Sequence, residues 1–200
     1  MDIAAVLEWV QQTSLAVQIR DSLFAFPLLE AVHVIGLAIV FGTVAIVDLR
    51  LLGLASLDRP FGRLAGDTLK WTLGGFVVAA VTGALMFITN ATVYFHNVYF
   101  RAKVALLVLA ALNALVFELT ARRTVAQWDA APASPPALAR AVATLSLVIW
   151  IGVIVTGRMI GFTATRAAAA APSPVETNFE DLLGLPAAGD PAQPSGKSPE

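Results

Sequence analysis

Nineteen consecutive residues, Trp71 to Thr89, carry no charged side chain. Three further stretches share this character. The first has an uncharged centre from Val34 to Val47. Another is broken only by Lys103 near one end and Glu118 near the other, and the last is uncharged from Ala141 to Gly157. A helix needs about 20 mostly apolar residues to cross roughly 30 Å of hydrocarbon. The four stretches, about 22–52, 68–90, 98–121 and 138–160, each meet that length. Leu, Val, Ala and Ile fill them without polar–apolar alternation, which argues against barrel strands. The expected fold is all-α, an integral membrane four-helix bundle.

Composition narrows the function classes. The chain is 58% hydrophobic and 14% charged over 200 residues, against about 45–50% and 25% in soluble domains. Thirteen basic and fourteen acidic side chains leave a net charge of −1. A nucleic-acid partner, which calls for a strongly basic patch, is therefore not expected. With no cysteine, disulfide scaffolds, thiolate zinc sites, iron–sulfur clusters and a Cys nucleophile are excluded, and the redox compartment stays open. No nucleophile elbow, phosphate loop or dinucleotide fingerprint occurs. Gly74-Gly75 lies inside an apolar helix, and Asn90-Ala91-Thr92 fits only a glycosylation pattern.

The start, Met1-Asp2-Ile3, lacks the basic segment of a secretory signal. Ile3, Val6, Leu7 and Val10 recur at helical spacing beside Trp9. Residues 1–21 therefore read as an amphipathic helix, lying in the membrane interface or packed over one end of the bundle. Residues 162–200 form an Ala/Pro-rich tail expected to be disordered, with a candidate partner-docking island at residues 178–185. Ala131 to Pro136 reads as a loop. Seven basic residues near span ends (Arg50, Arg59, Arg63, Lys70, Arg122, Arg123, Arg140) face five on the other side (Arg20, Arg101, Lys103, Arg158, Arg166). By the positive-inside rule this bias puts both termini outside the cytoplasm. In a chain of bacterial character, that means a multi-pass protein of the inner membrane with periplasmic termini. Small residues that permit close helix approach occur as Gly75, Ala79 and Gly83, as Ala38 and Gly42, and as Gly157 and Gly161.

Ionisable groups inside a span usually face the bundle interior or a cavity. Glu30 and His33 sit three residues apart on one helical face, and Gly36 follows as a bare patch where a flat ligand could lie beside the imidazole. Topology assigns Glu30, His33, His96, Asn97, Arg101, Lys103 and Arg158 to one half of the bundle. Asp48, Arg50, Glu118, Arg122 and Arg123 belong to the other, where they read as charges and ion pairs fixing helix ends. An imidazole at membrane depth can hold haem iron, with basic residues pairing the propionates. That makes haem b the candidate cofactor, His33 its iron ligand, and Gly36, His96, Arg101, Lys103 and Arg158 candidate contacts. The second axial ligand would be His96, Met86 or Met159. The competing reading hydrogen-bonds His33 to a buried polar neighbour, Glu30 or Asn113, and makes it structural or proton-handling. Arg158 either snorkels to the headgroups or turns toward Glu30. The second arrangement predicts that losing Glu30 alone costs more than losing both.

Several segments resemble a group of uncharacterised bacterial multi-pass proteins of unknown function, over about residues 5 to 162. They are Glu30-Ala31-Val32-His33-Val34-Ile35-Gly36, Asp48-Leu49-Arg50-Leu51-Leu52-Gly53, Asn97-Val98-Tyr99-Phe100-Arg101-Ala102-Lys103 with Asn113, and Gly157-Arg158. The same segments are distantly similar to copper-resistance D-type proteins and HemJ-type protoporphyrinogen oxidases. Those are small bundles with a histidine in the first span and a lysine opening a later one. The resemblance implies a haem association for His33 and a matching position for Lys103. It departs at Glu118, where such proteins often carry a histidine.

Three functions follow as expectations. The first is a haem-associated or redox-linked bundle, alone or in a membrane oxidoreductase complex. The second is a transport or proton-relay bundle, for which four helices without an inverted repeat suggest a homo-oligomer. The third is a membrane scaffold docking a partner through its tail. The lipid bilayer is a partner in all three.

Overall fold

A computed structural model describes residues 2–120, 125–129 and 135–170. The expected tail island, Arg122, Arg123 and most of the 131–136 loop lie outside the described residues. Among those described there are eight helices and no strand: α1 (Ile3–Gln11), α2 (Ser14–Asp21), α3 (Ala25–Leu52), α4 (Phe61–Thr89), α5 (Ala91–His96), α6 (Val98–Leu119), α7 (Val125–Trp128) and α8 (Ala137–Ala170). One compact unit covers Met1–Phe162, and a second covers Thr163–Glu200, whose described residues 163–170 are helical.

Four helices are long and apolar enough to cross a membrane: Ala25–Leu52, Phe61–Thr89, Val98–Leu119 and Ala137–Thr163. Leu73, Val77 and Val81 on α4 and Val148, Ile151 and Val155 on α8 are each more than half exposed. Such faces suit lipid tails, which are as apolar as the side chains themselves. The chain is a multi-pass membrane protein.

Local chemistry sets the helix ends. Gly53 takes φ 76° after α3, its N–H donates to the Arg50 carbonyl and the Leu54 N–H to the Leu49 carbonyl, closing the helix as a Schellman motif. Helix α4 starts at Phe61, seven residues before the expected 68, because its charged first turns need no apolar surroundings. Pro60 precedes it, and the Asp129 carboxylate accepts from the Phe61 and Gly62 N–H groups. Residues 1–21 form two helices rather than one. Thr13 is extended, and its hydroxyl donates to the Val10 carbonyl, which ends α1.

Helices α1 and α2 lie over the end of the bundle that carries α5. There Gln11 Nε2 donates to Thr92 Oγ1 and Gln11 Oε1 accepts from Thr92 N–H, both at 3.1 Å, and Arg20 donates to the Thr89 carbonyl. Leu7, Ala16 and Ile19 are buried, while Ile3 and Trp9 remain exposed. At the opposite end, which carries α7, Phe61, Trp128, Leu51, Ala139 and Ala143 form one core cluster. A second apolar cluster, Val40, Trp150 and Val153, lies further along the bundle.

Candidate functional site

Close backbone approach between α3 and α4 positions the site. A Cβ at Gly36 would lie 3.0 Å from both Ala79 N and Gly75 O, and one at Gly75 would lie 3.0 Å from Gly36 O. Gly36 is therefore the α3 packing residue. The patch expected beside it for a flat ligand is covered by α4. Gly42, expected to pack, has nothing within 4 Å.

One turn before Gly36, the half-buried His33 ring crosses to α4. Its Nδ1 lies 2.8 Å from the Ala79 carbonyl and 3.1 Å from Thr82 Oγ1. A carbonyl can only accept, so Nδ1 carries the hydrogen and Nε2 presents a lone pair. Gly83 makes room for the ring, since a Cβ there would come within 2.9 Å of His33 Cε1. Lys103 Nζ reaches from α6 to 3.4 Å from His33 Nε2, beside Gly157 of α8. The site thus takes His33 from α3, a carbonyl, a hydroxyl and a bare glycine from α4, an ammonium from α6 and a second glycine from α8. Among the described residues Lys103 forms no ion pair.

The other expected residues are arranged differently. His96 is exposed, and its Nδ1 donates to the Thr92 carbonyl. Asn97, expected as a buried partner, is half-buried and caps α6, its Oδ1 accepting from the Tyr99 and Phe100 N–H groups. Arg101 is exposed. Asn113 is buried but donates to the Val142 carbonyl, and it is not a partner of His33. Glu30 is exposed and forms no ion pair with Arg158. The Arg158 guanidinium instead stands 4.9 Å from the centre of the Phe162 ring. Glu30 acts electrostatically on Tyr94 of α5. Burial pushes the Tyr94 phenol above its ordinary range, and the Glu30 charge adds to that shift.

For haem iron to sit on His33 Nε2, Lys103 would first have to leave that atom. Of the other expected contacts, Gly36 is covered by α4, and His96 is exposed with its Nδ1 committed to the Thr92 carbonyl. Among the described residues no group of three or more His, Asp or Glu gathers as a metal site.

Sequence reasoning named His33 and Lys103 but not Thr82, and it treated Gly83 and Gly157 only as packing. Their common signal is helical register. Ala79, Thr82 and Gly83 share one face of α4 at i, i+3 and i+4.

The chain belongs to DUF6644, a family of unknown function, whose family model matches residues 6–163. No curated protein and no solved structure matches it.

Proposed function

We propose that this member of a family of unknown function handles protons through the His33–Lys103 pair. The observation that carries the reading is the 3.4 Å approach of Lys103 Nζ to His33 Nε2. With Nδ1–H committed to Ala79, Nε2 is a base facing an ammonium. A proton can pass from Nζ to Nε2 along that contact without any other group moving. Two full positive charges this close in apolar surroundings repel strongly, so the pair holds one mobile proton. A carbonyl-anchored imidazole of fixed tautomer suits proton transfer. The bias of basic residues supports a bacterial inner membrane with both termini outside the cytoplasm, and the pair then exchanges its proton on that side.

The test is proton flux in proteoliposomes under an imposed potential, read by an entrapped pH dye. His33→Gln and Lys103→Met should each reduce flux to that of protein-free vesicles. Wild-type flux retained in both variants refutes the reading. The haem alternative draws support from one feature, the Nδ1–H anchor that would orient Nε2 toward a metal. A Soret band in protein purified from haem-supplemented cells, lost in His33→Gln, would replace the proton reading with that one.

A further inference from the structure

We infer that Asp48 is a second proton-binding site, on the far side of the Val40–Trp150–Val153 cluster from His33. Its role as a relay station rests on the proton-handling reading, whereas its proton does not. Asp48 is 6% exposed and Ser146 9%. Ser146 of α8 neighbours the Asp48 carboxyl. Asp48 Oδ2 is buried with no hydrogen-bond partner.

No ion pair joins this carboxyl to a cation among the described residues. Arg50, two residues on, directs its Nε to the Arg59 carbonyl. On the helices around it, Arg63, Asp67 and Lys70 of α4, Glu118 of α6 and Arg140 of α8 are all exposed. Asn113, the buried polar group of α6, spends its amide N–H on Val142, one turn before Ser146.

A buried carboxylate with a bare oxygen and, among the described residues, no counter-charge is far more costly than the neutral acid. A proton on Oδ2 removes that cost. Uptake forms one O–H bond on Oδ2 and release breaks it, the proton passing to or from water. Asp48 lies fifteen residues from His33 on one helix, about 22 Å at 1.5 Å per residue. The apolar cluster stands between them, while Phe61, Phe117 and Trp128 pack together toward the α7 end. Each station therefore exchanges with its own end of the bundle, and transfer between them requires the apolar cluster to part.

Infrared difference spectroscopy on the full chain in liposomes tests the site. At neutral pH the wild type and His33→Gln should show a carboxylic-acid C=O band that shifts in D2O. The band should be missing in Asp48→Asn and displaced in Ser146→Ala, where the neighbouring hydroxyl is gone. An unchanged gel-filtration profile and tryptophan emission establish that the variants fold. A spectrum with no band lost in Asp48→Asn overturns the inference, including the case of an ionised carboxylate holding a metal cation. Asp48→Asn should also abolish proton flux, and wild-type flux in that variant overturns the relay role. If the wild type itself carries no flux, the proposed function fails while the band still decides the proton on Asp48.

Discussion

Gly36 and Gly75 oppose each other so closely that a Cβ on either would lie 3.0 Å from the other's carbonyl oxygen. Gly36 faces backbone alone, and Gly75 faces the Gly36 carbonyl together with the stiff, β-branched Ile39 side chain, its Cγ2 also at 3.0 Å, so neither helix can yield cheaply. Gly36→Ala and Gly75→Ala should each lower the melting temperature in detergent, at a cost of about 1–3 kcal/mol, the usual range for overpacking. Gly74→Ala is the control. Nothing lies within 4 Å of that position, and alanine is the better helix former, so its melting temperature should hold or rise. Equal losses at all three glycines would contradict the packing argument.

Gly83→Ala probes the site itself. The added methyl would meet His33 Cε1 at 2.9 Å, and the ring cannot withdraw without breaking its bond to the Ala79 carbonyl. Nε2 then leaves Lys103. Proton flux should fall as far as in His33→Gln, and the imidazole nitrogen NMR signals should lose the pattern of one fixed tautomer. Unaltered imidazole signals in Gly83→Ala would show that the glycine does not position the ring.

Tyr94 gives a pH signature outside the spans. Its phenol titrates above the ordinary 10.0 because burial and the Glu30 charge both disfavour the phenolate. A group whose folded pKa is raised contributes stability that is complete below the unfolded value and lost as pH rises through the folded one. The wild type should therefore lose stability above about pH 10 more steeply than Tyr94→Phe. Glu30→Gln should bring the tyrosinate absorbance transition back toward 10.0. A transition unmoved by Glu30→Gln would mean that the carboxylate does not act on the ring.

Arg158 and Glu30 should behave as strangers. The guanidinium stands over Phe162, an exposed cation–π contact worth about 0.5–1 kcal/mol. Melting-temperature losses from Glu30→Ala and Arg158→Ala should therefore add in the double variant. A coupling energy above about 0.5 kcal/mol would restore the ion pair.

The four spans were legible because uncharged runs near twenty residues leave few alternatives. His33 and Lys103 stood out as ionisable groups within those runs. Their contact was not legible, since it depends on the rotation of α3, α4 and α6 about their axes, which a nearly uniform apolar surface does not encode. Gly36 shows the same limit. Its spacing from His33 suited a ligand patch as well as a helix contact, and only the approach of α4 decides between them. Asp48 was read as an interfacial charge because it falls near the end of the apolar run. Yet it sits a full turn inside the end of α3 at Leu52, on the side that faces Ser146.

Asp129 was invisible in the sequence because it caps a helix that begins 68 residues earlier. Its carboxylate accepts from the N–H groups of Phe61 and Gly62, the latter at 2.9 Å, while neighbouring Trp128 packs on the Phe61 ring with centroids 5.5 Å apart. The first N–H groups of a helix have no intrahelical acceptor, and an acidic side chain there also complements the helix dipole. Asp129→Ala leaves both donors unpaired and should cost about 1 kcal/mol, within the 0.5–2 kcal/mol range of lost caps. Asp129→Asn keeps an oxygen acceptor and should retain most of that stability, losing mainly the charge contribution. Amide hydrogen exchange at Phe61 and Gly62 should quicken in the alanine variant and change little in the asparagine one. If alanine leaves both amides as protected as in the wild type, α4 does not depend on Asp129 for its start.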